Sequence, residues 1–165
     1  MLAATVRVTC DLDAAEEAVQ DAYVQALVTW ARDGVPAKPG AWLTTVARRR
    51  ALNLVRRRRT LETKLALLIE PADADPPDPD VDAIPDDRLR LIFTCCHPAL
   101  ALEAQVALTL RLVCGIATPD VAHAFLVSET TMAARLTRAK KKIAAARIRY
   151  AVPAARELPA RVERR

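Results

Sequence analysis

The stretch EPADADPPDPDVDAIPDD, residues 70–87, constrains this chain more than any other feature of it. It holds five prolines and eight acids. Proline removes backbone donors and breaks a helix interior, and a run of like charges with so little apolar surface cannot order itself by burial. The flanks must therefore fold separately, as an N-terminal block up to about residue 69 and a C-terminal block from about residue 86. Each is small, with room for one modest core. Only 4% of the 165 residues are aromatic and three are glycine, while alanine and leucine abound, which suits helices better than sheets. The expected fold is all-α, with two small helical domains joined by an acidic Pro-rich linker.

The net charge of +5 conceals a division along the chain. Residues 1–64 carry 11 Lys/Arg against 7 Asp/Glu, residues 65–87 none against 8, and residues 88–165 carry 14 against 5, giving +4, −8 and +9. Two basic blocks around an acidic one favour a phosphate-bearing partner, although a charge run is also what a solvated helix face looks like. No run of about 18 apolar residues offers a membrane span. The opening MLAATVRVTCDLD lacks the basic start and apolar core of a signal peptide, so a cytoplasmic protein is expected, with no membrane partner.

In the N-terminal block, Asp13 and Glu16 resemble a capping box, followed at helical spacing by Ala15, Ala18, Val19, Ala22, Tyr23, Ala26, Leu27 and Trp30. This predicts a helix to about Trp30. Glu16, Glu17, Gln20 and Asp21 gather on or beside its polar side, and an acidic face within a basic domain suits a protein partner rather than DNA. RDGVPAKPG is then a loop. A second helix is predicted from about Ala41, with Trp42, Leu43, Val46, Ala47, Ala51, Leu54 and Val55 inward and Arg48, Arg49, Arg50 and Arg56 to Arg59 making it strongly cationic. Cations, Asn53 and a nearby aromatic fit an unpaired nucleic-acid strand, since stacking and hydrogen bonds read bases while charge holds the backbone. Trp42 itself suits the core better than direct stacking.

The C-terminal block predicts four helices. Asp86 or Asp87 caps the first, with Leu89, Ile92, Phe93 and Cys96 inward, and His97-Pro98 ends it. Pro98 opens the second, apolar nearly all round and thus buried, stopping at Gly115. Thr118-Pro119 starts a short third helix, and Ser128 caps the fourth after a tight turn, a helix-turn-helix pattern. On the fourth helix Met132, Leu136, Ala139 and Ile143 share one apolar stripe, while Thr131, Ala134, Arg138 and Lys141 lie opposite with Arg135 and Lys142 beside them. A helix over 128–143 is about 24 Å long, enough to set its first turns on base edges and its later cations on phosphates.

Catalysis finds no footing. There is no Gly-rich phosphate loop and no plausible acid/base pair, so neither an enzyme nor a cofactor is expected. Cys95, Cys96 and His97 are consecutive, and neighbours on a helix point about 100° apart, which keeps them from converging on a metal. All four cysteines are expected to be reduced thiols.

AAEEAVQDAYVQAL with PGAWLTTVARRRALNLVRR resembles the second conserved region of extracytoplasmic-function sigma factors, and residues 119–143 resemble their fourth region. DDRLRLIFTCCHPALALEAQVALTLRL is similar to one subgroup, which usually continues into a C-terminal extension of helical repeats that this sequence does not include. The resemblance implies region 2 at 1–69, a linker at 70–85, region 4 at 86–152 and a tail at 153–165. It implies core RNA polymerase and promoter DNA as partners, with an anti-sigma factor as a further candidate. Carried over by position, Glu16, Glu17, Gln20 and Asp21 meet the polymerase clamp. The loop 33–41 with Trp42, Arg48, Arg49, Asn53, Arg56 and Arg57 handles the melted minus-ten element, and Thr130, Thr131, Arg135, Arg138, Lys141 and Lys142 read the minus-thirty-five duplex. The sequence departs from the pattern at Arg49, where Asn is frequent, at Asn53, where Asp is frequent, and at Leu126, a turn position that often holds Gly. Its first helix is shortened to about LAATVRVT. The alternatives are a conventional operator-binding regulator and a sigma-like polymerase-interaction module without initiation activity.

The charge division generates a prediction. Residues 70–85 reach roughly 50 Å in an extended Pro-rich form at about 3.1 Å per residue, and tethered acids compete with DNA for the basic blocks at high effective concentration. Replacing Asp73, Asp75, Asp78, Asp80 and Asp82 with Asn should raise the affinity of the free protein for duplex DNA at low salt, with a gain that shrinks as screening increases. Unchanged low-salt affinity in a fluorescence-anisotropy titration would make the segment a passive spacer.

Overall fold

The computed structural model describes residues 1–66 and 86–153, and every element among them is helical. The chain divides into two compact units between Ile84 and Pro85. The expected linker at 70–85 and the tail from 154 lie outside the described residues.

The first unit has three helices, α1 (Leu2–Thr9), α2 (Leu12–Asp33) and α3 (Pro39–Ala66), each packed on the other two. Its interior is made mostly of small side chains: beside Leu12 it holds Ala15, Ala18, Ala22 and Ala26 of α2, Ala47 and Ala51 of α3, and Ala3, Thr5 and Val6 of α1. Thr5 is tolerated there because its hydroxyl donates to the Met1 carbonyl. The capping-box reading of Asp13 and Glu16 gives way to Asp11, two residues earlier, whose Oδ1 accepts from the backbone N–H of Asp13 at 2.9 Å and of Ala14 at 3.1 Å. Cys10 turns the chain between α1 and α2 with φ of 51°. α2 runs three residues past Trp30 and closes at Gly34, where φ is 80° and the N–H bonds the Trp30 carbonyl. α3 starts two residues before Ala41, at Pro39, since proline's missing donor costs nothing in a first turn.

The second unit contains α4 (Asp87–Cys95), α5 (Leu102–Leu108) continuing into a π-helical turn (Thr109–Val113), α6 (Thr118–Ala124) and α7 (Glu129–Ala145). Asp86 is the cap of α4, accepting from Arg88 and Leu89 N–H groups. The face that α4 buries is Leu91, Thr94 and Cys95; the expected Leu89, Ile92 and Phe93 are half-buried and Cys96 is exposed. Apolarity alone misjudged this helix because Thr94 neutralises its own hydroxyl, donating to the Arg90 carbonyl at 2.9 Å, and so enters the core at low cost.

Pro98 does not open α5. Residues 98–100 form a turn held by Gln105, whose Nε2 donates to the carbonyls of His97 and Leu100, and the helix begins at Leu102. Nor is α5 buried all round: only Ala107 and Leu108 are enclosed, while Leu102 and Val106 are exposed. Leu102 and Val106 line an apolar groove of about 250 Å³ with Cys96, Gln105, Thr109 and Leu110. α6 is capped at Ala117 rather than Thr118, with no side-chain cap bond.

Between α6 and α7 the chain turns on Leu126 at φ 52°. The Val127 N–H bonds the Ala122 carbonyl at 3.1 Å and the Leu126 N–H bonds the His123 carbonyl at 3.0 Å, the paired bonds of a Schellman ending whose left-handed position is usually glycine. Ser128 then caps α7, its Oγ accepting from the Thr131 N–H at 3.2 Å. α7 buries the predicted stripe of Met132, Leu136, Ala139 and Ile143. Arg147 repeats the left-handed ending at φ 48°, and the Tyr150 hydroxyl donates to the Asp87 carbonyl, tying this end of the unit to the start of α4.

Leu126 is 90% exposed, so its side chain offsets little of its backbone strain. Leu126→Gly should stabilise the protein by about 1 kcal/mol and raise the unfolding midpoint by a few degrees. A lowered midpoint in thermal denaturation would show that the leucine makes a stabilising contact.

Candidate nucleic-acid interface

The outer face of α7 has two parts. Near its start, Thr130 and Thr131 are exposed, and both hydroxyls lie on the Ser128 hydroxyl, at 3.0 and 2.8 Å. One turn later, Arg135 is half-buried with its guanidinium carbon 5.5 Å from the centre of the Phe125 ring, a cation–π contact that turns it toward the end of α6. Arg138, Lys141 and Lys142 are exposed. The expected residues therefore share one helix, but Arg135 is braced by an aromatic ring while Arg138 projects into solvent.

In the first unit, Arg48, Arg49, Asn53, Arg56 and Arg57 are all exposed along α3. Helical spacing puts Arg49, Asn53 and Arg56 on the side opposite Ala47 and Ala51, with Arg48 and Arg57 on its flanks. Two other arginines of this helix are engaged within the unit: Arg50 reaches Gln25 at 3.3 Å, and Arg58 reaches Asp11 at 3.4 Å. Trp42 is half-buried, its ring centroid 5.4 Å from that of Trp30 at an interplanar angle of 59°. The two rings pack the junction of α2 and α3 beside the loop 34–38. Trp30 Nε1 is buried with no hydrogen-bond partner among the described residues.

Glu17, Gln20 and Asp21 are exposed on α2 and Glu16 is half-buried. The sequence reading missed what continues this face. Val24 and Val28 extend the line of Glu17 and Gln20 by whole turns, and Tyr23 and Leu27 lie beside it. Tyr23 and Leu27, expected inward, are outside, and Leu27 and Val28 are 75% and 71% exposed. The spacing of Ala15, Ala18, Ala22 and Ala26 was the available signal, since a stripe of alanines is narrow enough to leave larger neighbours out. The result is a face that is acidic over its first turns and apolar over its last.

The cysteines do not assemble a site. Cys95 is fully enclosed and burial pushes its thiol up to about 12, with a smaller contribution from Cys96, so it stays a neutral core group. Cys96, Cys10 and Cys114 are exposed. His97 Nδ1 accepts from the Ala99 N–H at 3.2 Å, which is a helix-ending role. Among the described residues no group of three or more metal-ligating side chains comes together, and no helix is long and apolar enough to cross a membrane.

Residues 2–60 match the family model described as Sigma-70 region 2. An uncharacterised protein of Rhizobium meliloti (strain 1021) is 42% identical over 158 residues, a span covering 92% of this chain and 37% of that protein. The chain thus spans little more than a third of the length of that curated relative. No solved structure matches it.

Proposed function

We propose that this chain, whose residues 2–60 match the Sigma-70 region 2 model, acts as an extracytoplasmic-function type sigma factor that binds core RNA polymerase and directs promoter recognition. The observation that carries this reading is the face of α2. Glu16, Glu17, Gln20 and Asp21 pass directly into exposed Tyr23, Val24, Leu27 and Val28, and a contiguous apolar patch bordered by acids is what a protein interface looks like. Its acidity repels DNA, so its partner is the polymerase.

α3 lies against α2 and carries the opposite chemistry. Arg48, Arg49, Arg56 and Arg57 neutralise the backbone of a melted minus-ten strand and Asn53 hydrogen-bonds a base edge, while the loop, which is 34–38 because Asp33 belongs to α2 and Pro39–Ala41 to α3, leads into the start of that helix. Trp42 contributes by packing Trp30 and fixing the start of α3 rather than by stacking on a base. In the second unit α6 and α7 form a helix-turn-helix in which α7 enters the major groove of the minus-thirty-five element. Arg138 is the candidate guanine reader, Arg135 approaches from beside Phe125, and Lys141 and Lys142 hold phosphates. An operator-binding regulator would also account for α7, but it leaves the apolar turns of α2 without a use. The protein then works in the cytoplasm, and an anti-sigma factor that covers α2 would silence it.

Replacing Glu17 and Asp21 together with Lys should weaken association with core RNA polymerase by at least about tenfold, while helical content and binding of isolated duplex stay as they are. Co-elution of the double variant with polymerase at the level of the unaltered chain would reduce the acidic face to a solvated surface and remove the main support of this reading.

A further inference from the structure

Thr130, Ala134, Thr137 and Lys141 follow one another at i, i+4, i+7 and i+11, on the side of α7 opposite its buried stripe, and all four are exposed. What the two threonines among the first three can donate is largely committed. The Thr137 hydroxyl donates its one hydrogen to the Ala133 carbonyl at 2.9 Å. Ser128 Oγ accepts the Thr131 N–H and also bonds both the Thr130 and Thr131 hydroxyls. A serine hydroxyl has one hydrogen and two acceptor sites, so this arrangement leaves at most one of the two threonines with a donor to offer outside. Ala134 has only its methyl. The neighbouring cation is turned aside, with Arg135 over the Phe125 ring. The first turns of this face are therefore dominated by methyl groups, and the first exposed cation on it is Arg138.

We infer that the stripe Thr130–Ala134–Thr137 reads the 5-methyl groups of thymines in the major groove, with Arg138 reading a guanine farther along the helix. The inference rests on α7 being a DNA-reading helix and names what that helix selects. Thymine is the base that places a methyl on the major-groove edge, and Ala and Thr methyl groups are its apolar partners. Side chains this short also let the helix approach the base edges closely. Removing one buried methyl from such a contact should weaken binding about fourfold.

The test uses the full chain at low salt. Tight binders are first selected from random duplexes, and each is then remade with deoxyuridine replacing one thymine at a time, which deletes the methyl and leaves the pairing intact. About fourfold weaker binding at one or more positions under α7 is expected. Thr137→Ser, which loses only the methyl, should erase that difference at one position, and Thr137→Val, which keeps the methyl and loses the hydroxyl, should preserve it. Circular dichroism checks that both variants remain folded. Equal affinity for thymine and uracil duplexes overturns the inference, as does discrimination that survives Thr137→Ser but not Thr137→Val. Sequence selection without any methyl dependence would leave the DNA-reading role standing and remove only this inference, whereas binding without sequence selection would remove both.

Discussion

The narrow alanine seam between α2 and α3 governs what the first unit can present. With Ala15, Ala18, Ala22 and Ala26 on one side and Ala47 and Ala51 on the other, there is little depth for larger side chains to enter. Val24 and Val28 lie on the far side of α2 from this seam and Tyr23 and Leu27 on its flank, so all four remain on the surface, where their transfer from water is still available to a partner. Each such side chain contributes about 1.5 to 3 kcal/mol when fully buried. α3 is held by Ala47 and Ala51 together with half-buried Leu43, Val46, Leu54 and Val55, which leaves its outer side free to carry arginines.

The second unit solves a different problem, which is how to hold one helix rigidly while leaving its outer side bare. Met132, Leu136, Ala139 and Ile143 anchor α7 along its whole length, and Ser128 fixes its start. The backbone strain is concentrated outside the helix, at Leu126 and Arg147, where left-handed endings stop α6 and α7. Phe125 both ends α6 and braces Arg135, so the turn and the outer face are coupled through one ring.

The stripe of α7 was legible residue by residue, and local chemistry offered Asp86 as one of two caps for α4. The turn position of Leu126 was visible only through the family resemblance. Reading failed where polar groups satisfy themselves. Thr94 entered the core of α4 through a bond to the Arg90 carbonyl, and the hydroxyl hydrogens of Thr130, Thr131 and Thr137 are largely engaged by Ser128 and by the backbone of α7, neither of which spacing reveals. It failed also where side-chain size sets helix separation, as with Tyr23 and Leu27 on α2. On α5, uniform apolarity suggested complete burial, yet Leu102 and Val106 are exposed, since the described helices cover only the side that carries Ala107 and Leu108.

We propose that this chain joins a polymerase-binding face to DNA-reading faces and so selects where transcription starts. The most direct measurement is run-off transcription by core RNA polymerase over a library of promoter-length templates, with and without the full chain. Transcripts that require the chain and begin at a fixed distance downstream of two shared sequence elements are expected, the upstream one rich in thymine methyls beneath α7. A chain that binds core polymerase yet yields no transcript from any template, or transcripts whose start sites are the same without it, would overturn this role.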